Sequence, residues 1–236
     1  MPNHYFQFKN FRIEQDRCAM KVCTDACLFG AWIPANNSTG NILDVGTGTG
    51  LLSLMMAQKT TAHIDAVEID EAAFLQAKEN TANSSYNERI SVFWGDFNNF
   101  KTQKKYDLII SNPPFYENQL HSADAKDRTA KHATALTLEN LFKCASHLLK
   151  ETGKLAILLP YYRKADCLKW AQLYKLYPEQ SIEIQQTQHH ASFRYAALFT
   201  CNGSVKPQDS TFSIKDADGN YSQTATSLLK PFYQYL

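Results

Sequence analysis

The residues best suited to chemistry in this sequence are Asn112, Pro113, Pro114 and Phe115, which follow a strand-like apolar run from Tyr106 to Ser111. An asparagine before two prolines places a side-chain oxygen and a backbone carbonyl in one rigid turn. Neither proline has an N–H group that would occupy those acceptors. Two fixed acceptors suit a planar NH2 group, and the ring of Phe115 can stack on the planar group that carries it. This corner therefore predicts methyl transfer to an exocyclic amine.

The same corner predicts how such a transfer proceeds. If Asn112 and the Pro113 carbonyl accept the two amino hydrogens, the nitrogen lone pair is directed at a methyl donor. This is catalysis by positioning and dipoles, so it needs no titrating base. Tyr116 is a second candidate for stacking on a base that is splayed out of its helix. Taken alone, the four residues are also compatible with a structural turn.

A glycine-rich loop lies where a cofactor site is expected. Residues 44–50, Asp-Val-Gly-Thr-Gly-Thr-Gly, follow a strand pattern and precede a helix pattern, which is the context that such a motif requires. The spacing of Gly46, Gly48 and Gly50 differs from the dinucleotide pattern, and the loop lacks the lysine of a phosphate-binding loop. The acidic Asp44 favours a cationic ligand, and S-adenosylmethionine carries an ammonium and a sulfonium.

Two further acids end the next predicted strands. Glu68 lies 22 residues after Gly46, where an acid can accept the ribose hydroxyls, and Asp96 can accept from an adenine amino group. One such acid is usually a cap or a turn residue, but three at successive strand ends indicate a binding site. Asp70 is interpreted as a helix N-cap.

Strand-like apolar runs alternate with helix-like stretches along the chain, which predicts an α/β fold with a mainly parallel sheet. The predicted strands are 41–45, 64–68, 90–94, 106–111, 154–159, 182–186 and 196–201, and the predicted helices are 24–32, 51–58, 71–81, 138–150 and 164–176.

The chain's 236 residues, 44% of them apolar, suit one sizeable α/β domain over 1–236. Residues 1–36 are predicted to form an N-terminal extension over the site, with a helix capped by Thr24 or Asp25. Residues 203–236 are predicted to form a long loop and then a segment that packs back on the domain, with Leu228, Leu229, Phe232, Tyr233 and Tyr235 on one helical face.

Bulk properties exclude little. The N-terminus has no leader pattern and no long apolar run follows, so a cytoplasmic, non-membrane protein is expected. Six cysteines without a C-x-x-C pair predict no metal site.

The net charge of +1 is uninformative, but two basic clusters are candidate phosphate contacts or simply solvated faces. They are Lys9, Arg12, Arg17 and Lys21, and Lys126, Arg128, Lys131 and His132.

These motifs resemble the class I S-adenosylmethionine-dependent amino-methyltransferases, which carry Asn/Asp-Pro-Pro-aromatic. The stretches 15–22, 24–25, 44–50 and 111–116 are similar to the bacterial tRNA1(Val) (adenine-N6)-methyltransferase family. The resemblance implies a Rossmann-like sheet of seven strands in the order 3-2-1-4-5-7-6, the last strand antiparallel. It also implies S-adenosylmethionine as cofactor, and transfer to adenosine 37 in the anticodon stem-loop of tRNA.

The resemblance assigns roles to individual residues. Thr24 and Asp25 would cover the methionine end of the cofactor, and Asn112 would border it as well. The candidate RNA contacts are Phe115, Tyr116, Arg17, Lys21, Lys126, Arg128, Lys131 and Arg194. The segment 189–194, His-His-Ala-Ser-Phe-Arg, departs from the Pro- and Lys-rich residues expected there.

Other classes of function remain open at this level. A protein glutamine N5-methyltransferase uses the same corner but favours tyrosine at position 115 and carries an extra N-terminal domain. An rRNA guanine-N2 or a DNA adenine-N6 methyltransferase is a second alternative, the DNA enzyme usually needing a target-recognition segment. A non-catalytic S-adenosylmethionine-binding scaffold is a third. Protein partners are not indicated.

Overall fold

The computed structural model describes residues 4–18, 20–113 and 136–236. Its described strands are β1 (Tyr5–Gln7), β2 (Arg12–Glu14), β3 (Asn41–Val45), β4 (His63–Glu68), β5 (Ile90–Trp94), β6 (Tyr106–Ser111), β7 (Leu149–Pro160), β8 (Tyr177–Gln185), β9 (Ser192–Thr200) and β10 (Gln208–Ser213). The first two form a hairpin, and the others form one sheet in the order β10-β8-β9-β7-β6-β3-β4-β5. Only β9 runs antiparallel to its neighbours.

The seven predicted strands, now β3 to β9, lie in the order 3-2-1-4-5-7-6. The expected total of seven is wrong, because β10 adds an eighth strand within the predicted loop after residue 203. This strand pairs parallel with β8 from Gln208↔Gln180 to Ser213↔Gln185. Its sequence, Gln-Asp-Ser-Thr-Phe-Ser, is mostly exposed and shows no apolar alternation. Hydrogen bonding to the free edge of β8 stabilises it, and that edge is not visible in the local sequence.

The described helices are α1 (Thr24–Trp32), α2 (Leu51–Lys59), α3 (Glu71–Ala82), α4 (Leu138–Leu148), α5 (Lys164–Leu173) and α6 (Gln223–Leu229). Buried residues of α1, α2 and α6 pack on one face of the sheet, and those of α4 and α5 pack on the other. Covering both faces explains why the central strands are continuous apolar runs. No helix within the described ranges is long and apolar enough to cross a membrane.

The end of α1 is held by a lysine from α2. The Lys59 ammonium donates to the carbonyls of Gly30 (3.2 Å), Ala31 (2.9 Å) and Ile33. Burial lowers the pKa of Lys59 to about 8. A cation at a helix C-terminus satisfies carbonyls that lack intrahelical partners and complements the helix dipole. This contact ties α1 to the helix that follows the glycine-rich loop.

The C-terminal segment packs back on the molecule, although not as one helical face. Leu229, where α6 ends, is buried, as are Phe232 and Tyr233, and Tyr233 forms an isolated β-bridge with Phe8 of the N-terminal region. Tyr235 is 89% exposed, so its predicted place on a buried helical face is wrong. The helix stops too early to carry it.

Candidate active site

The glycine-rich loop connects β3 to α2 with backbone angles that suit glycine. Gly46, Gly48 and Gly50 have φ values of +71°, +57° and +82°, a region that other residues adopt at a cost. A Cβ on Gly46 or Gly48 would meet no atom within 4 Å. The missing side chains thus leave open space along the backbone, where a ligand can approach closely. This arrangement fits S-adenosylmethionine.

Asp44 is fully buried beneath this loop. Its Oδ2 accepts hydrogen bonds from the hydroxyls of Thr47 (2.6 Å) and Ser53 (2.7 Å), and its Oδ1 has no hydrogen-bond partner within the described ranges. Burial raises the pKa of Asp44 to about 6 despite those two donors. A side chain with no exposed surface cannot contact a ligand directly without rearrangement. The predicted preference of Asp44 for a cationic ligand stays a prediction, to be met through water or after a rearrangement, while its observed hydrogen bonds support the loop.

This raised pKa predicts a pH-dependent stability. A carboxyl group whose pKa is higher in the folded state stabilises the fold fully below its unfolded pKa, and that contribution is lost as the pH rises through about 6. We expect Asp44→Asn, which does not titrate, to gain about 3 kcal/mol relative to the wild type between pH 4 and pH 8. Urea unfolding of both proteins across this range measures the difference. Parallel stability curves would show that Asp44 does not titrate between those limits.

Glu68 ends β4 and is bonded to the glycine-rich loop. Its Oε2 accepts from the backbone N–H of Gly48 at 2.8 Å, and its Oε1 accepts from those of Ile69 (2.9 Å) and Asp70 (3.0 Å). Backbone donors fix the carboxylate at the carboxyl edge of the sheet, next to the loop. Asp70 is the N-cap of α3, as predicted, and accepts from the N–H of Ala73.

Asp96 follows the edge strand β5 and caps a short 3-10 turn. Its Oδ1 accepts from the N–H and the side-chain amide of Asn98, both at 2.8 Å. A cavity of about 410 Å³ opens beside it, lined on the sheet by Asp65, Val67 and Phe93. The residues of the glycine-rich loop are not part of this lining. The cavity therefore extends away from the expected site of methyl transfer.

The Asn112 corner lies next to the glycine-rich loop. Ser111, the last residue of β6, pairs with Val45, the last residue of β3, and its hydroxyl donates to the Val45 carbonyl at 2.8 Å. Asn112 and Gly46 therefore leave adjacent parallel strands at the same edge, about 5 Å apart across the sheet. Asn112 is half-buried and Pro113 is buried. An acceptor pair and a cofactor loop meet here.

Helix α1 is anchored to this edge through Asp25. The Nε of Arg194 donates to Asp25 Oδ2 at 2.5 Å, although 169 residues separate the two. Burial alone would raise the pKa of Asp25, but hydrogen bonds from the Cys23 thiol and Arg194 hold it below its usual value. The predicted capping by Thr24 or Asp25 is wrong. Cys23 is the N-cap, and it makes no side-chain cap hydrogen bond. The Asp25 carboxylate does not cap the helix either, because it faces Arg194 instead.

The other predicted RNA contacts are only partly visible. Arg17 is exposed and paired with Glu79 of α3 at 2.6 Å, and Lys21 is exposed. Arg194 is engaged by Asp25 and is less accessible to phosphate than expected. The remaining predicted residues lie outside the described ranges, and they are Pro114, Phe115, Tyr116, Lys126, Arg128, Lys131 and His132.

Asn80 supports the site but escaped the sequence analysis. Its amide group donates to the carbonyls of Thr49 and Glu14, both at 2.9 Å, and its Oδ1 accepts from the Glu14 N–H. One buried side chain thus joins α3, the glycine-rich loop and the N-terminal hairpin. An asparagine within a helix pattern gives no local signal of such a role, because its partners are 31 and 66 residues away.

Metal ligands are not grouped in the described part of the chain. No cluster of three or more His, Cys, Asp or Glu residues with the arrangement of a metal site occurs there. The cysteines of this part are free thiols, and burial raises the pKa of Cys18, Cys23 and Cys27 to about 12. Such protonated thiols are inert as nucleophiles.

The parallel sheet with one antiparallel strand, the glycine-rich loop and the acids at strand ends define a class I S-adenosylmethionine-dependent methyltransferase. Residues 24–166 match the model of the methyltransferase small domain family. A predicted O-methyltransferase from Agrobacterium tumefaciens has a similar fold, with a TM-score of 0.70 at 14% identity over 88% of this chain and 96% of that one. A class I methyltransferase structure from Listeria monocytogenes superimposes with a TM-score of 0.58 at 16% identity over 92% and 70%.

Relatives of nearly the same length identify the family more closely. The chain is 37% identical over 235 residues to the tRNA1(Val) (adenine(37)-N6)-methyltransferase of Parabacteroides distasonis, covering 99% of both proteins. It is 39% identical over 241 residues to the enzyme of that name from Bacteroides thetaiotaomicron, covering all of both. The chain belongs to the tRNA1(Val) (adenine(37)-N6)-methyltransferase family, which confirms the resemblance of its motifs.

Proposed function

We propose that this enzyme transfers a methyl group from S-adenosyl-L-methionine to N6 of adenosine 37 in tRNA1(Val). The observation that carries the proposal is the placement of Asn112 beside Gly46 at the carboxyl edge of adjacent strands β6 and β3. Membership of the family supplies the nucleotide and the tRNA. The chemistry requires a bound amine beside a bound methyl donor, and the closeness of Asn112 to Gly46 at this edge supports the proposal.

Asn112 and Pro113 act on the adenine amino group. The Asn112 side-chain oxygen and the Pro113 carbonyl accept its two hydrogens, which turns the nitrogen lone pair away from the ring. Phe115 stacks on the base, with Tyr116 as a second aromatic residue. When bound, the cofactor would supply an electrophilic methyl group and become S-adenosylhomocysteine, and the amino nitrogen would lose its proton after the transfer. Fixed dipoles provide the rate enhancement, because they are already oriented before reaction.

The cofactor is held along β3, β4 and β5. The backbone of Gly46, Gly48 and Gly50 approaches it closely, with Asp44 supporting the loop from below. Glu68 accepts from the ribose hydroxyls and Asp96 from the adenine amino group. Thr24 and Asp25, at the start of α1, cover the methionine end.

The tRNA is held partly through phosphates. Arg17 and Lys21 of the described residues are proposed contacts, with Lys126, Arg128 and Lys131 outside them. Arg194 reaches a phosphate only by sharing its guanidinium with Asp25. The enzyme is proposed to act in the cytoplasm, where tRNA is modified, without a metal ion.

Labelled S-adenosylmethionine tests the proposed function. The purified enzyme is incubated separately with total tRNA, total rRNA, DNA and a protein extract, and then with a tRNA1(Val) transcript. Label is expected in total tRNA and in the transcript, and a transcript with guanosine at position 37 is expected to accept none. Label confined to rRNA, DNA or protein would replace the proposal with the corresponding alternative.

A further inference from the structure

An exposed aromatic surface lies on the side of Asn112 away from the cofactor. Tyr161 and Tyr162 directly follow Pro160, the last residue of β7, and Phe193 lies at the start of β9. Tyr162 is 60% exposed, and Tyr161 and Phe193 are each 37% exposed. Three large aromatic residues in water at one edge form the surface that we call the aromatic rim. None of the three belongs to the proposed cofactor or amine-binding residues.

The sheet order places the aromatic rim beside the reaction corner. Ser111 of β6 pairs with Ile157 of β7, and Pro160 at the end of β7 pairs with Arg194 of β9. Because β9 is antiparallel, its beginning lies at the carboxyl edge, where the parallel strands end. The edge therefore carries the proposed cofactor residues on β5, β4 and β3, the Asn112 corner on β6, and the aromatic rim on β7 and β9.

Two of the three rings, Tyr161 and Phe193, have cations of neighbouring residues against them. The Lys164 ammonium lies 5.9 Å from the Tyr161 ring centroid, and Lys164 is itself fixed by Glu183. The guanidinium of Arg194 lies 5.6 Å from the ring centroid of Phe193. Rings that are oriented before binding lose little conformational entropy when a ligand stacks on them.

The cations of this region are already engaged by acids. Lys164 pairs with Glu183 at 2.8 Å, Arg163 with Asp166 at 3.0 Å, and Arg194 with Asp25 at 2.5 Å. Charge attraction to phosphate is therefore weaker here than the number of basic residues suggests. The aromatic rim exposes ring faces instead, and unpaired bases of a nucleic acid stack on exposed aromatic side chains.

We propose that the aromatic rim, with Tyr162 as its main contact, binds unpaired anticodon-loop bases next to the target adenosine by stacking. This inference rests on the proposed function. Adenosine 37 must leave its stack to reach Asn112, and its neighbours must then find other partners. Loop nucleotides that extend from Asn112 away from the cofactor pass over β7 and β9, where the rim lies.

The test uses Tyr162→Ala and a matched control. The control residue is Tyr177, which is 37% exposed and pairs with Thr200 at the opposite edge of the sheet. With a synthetic tRNA1(Val) anticodon stem-loop as probe, Tyr162→Ala is expected to raise Kd and KM about tenfold or more. We expect kcat at saturating RNA and the affinity for S-adenosylmethionine to change little. Tyr162→Phe, which keeps the ring, should retain binding, and Tyr177→Ala should match the wild type.

The salt dependence separates stacking from charge. Removing a stacking ring changes affinity by the same factor at every salt concentration, so the slope of log K against log salt should be unchanged in Tyr162→Ala. Lys21→Gln, at a proposed phosphate contact, should reduce that slope by about one.

Three results are decisive and distinguishable. Wild-type binding and KM in Tyr162→Ala, with an active wild-type enzyme in the same assay, would overturn the role of the aromatic rim while leaving the proposed function intact. Absence of tRNA methylation by the wild type would overturn the proposed function itself. An equal loss in Tyr177→Ala would also overturn the inference, since it would show a general effect of removing an aromatic residue.

Discussion

Asn112→Ala is expected to reduce methyl transfer to tRNA1(Val) about a thousandfold while the affinity for S-adenosylmethionine stays nearly unchanged. The reason is that the substitution removes one of the two acceptors that orient the amino group. Loss of one fixed dipole from a preorganised site typically costs two to three orders of magnitude in rate. Single-turnover methylation measures the rate, and calorimetric titration of the cofactor measures the affinity. Most of the proposed cofactor residues lie on or after β3, β4 and β5, so their contacts are expected to persist in the variant.

Two control variants define the cause of that loss. Asn112→Asp keeps an acceptor oxygen at the same position and should retain far more activity than the alanine variant. Asn202→Ala makes the same replacement at an exposed position after β9, at the opposite edge of the sheet, and should behave as the wild type. If Asn112→Ala turns over at the wild-type rate, the mechanism of amine positioning is wrong.

Arg194→Met is expected to lower the free energy of unfolding by about 3 kcal/mol. The substitution leaves the Asp25 carboxylate buried without its cationic partner, and an uncompensated buried charge is strongly destabilising. Urea denaturation at pH 7 measures the loss. The same change should weaken S-adenosylmethionine binding, because the ion pair holds the start of α1, with Thr24 and Asp25, at the carboxyl edge.

The double variant Arg194→Met/Asp25→Asn tests whether the unpaired charge is the cause. Neutralising Asp25 removes the penalty, so the double variant should regain much of the lost stability. A double variant no more stable than Arg194→Met would show instead that the arginine acts through its other contacts.

The pH dependence of Arg194→Met follows from the pKa of Asp25. In the wild type this pKa is lowered, so its stabilising contribution is present above the unfolded pKa and is lost as the pH falls through the folded pKa. Without Arg194, burial is expected to raise the pKa of Asp25, so acid relieves the penalty. The stability difference between wild type and variant should therefore shrink from pH 7 to pH 4.

The strands that carry the chemistry were predictable to the residue. β3, β5 and β6 have the predicted bounds, because each is a short, mostly apolar run followed directly by a glycine or by the Asn112-Pro113 pair. β7 and β8 begin five residues earlier than predicted. Their first residues, such as Glu151 and Glu179, are polar, and they are recruited by pairing with neighbouring strands rather than by their own pattern.

The proposed roles of the cofactor residues were only partly predictable. Glu68 was inferred from its position at a strand end, and it is bonded to the glycine-rich loop as that position suggests. Asp44 was expected to face a ligand but lies buried under the loop. The sequence shows that Asp44 lies near a strand end. The direction of the Asp44 side chain depends on its hydroxyl donors, Thr47 and Ser53, which the strand pattern does not indicate.

By itself, the sequence determined the class of fold, the glycine-rich loop and the position of Asn112 directly after a strand, because strand limits and positive φ angles are set by neighbouring residues. Only the tertiary structure decided the pairing of Asp25 with Arg194, the bridging role of Asn80, the eighth strand and the position of the aromatic rim. These features join groups that are 28 to 169 residues apart in the sequence, so each forms only when the fold brings its partners together.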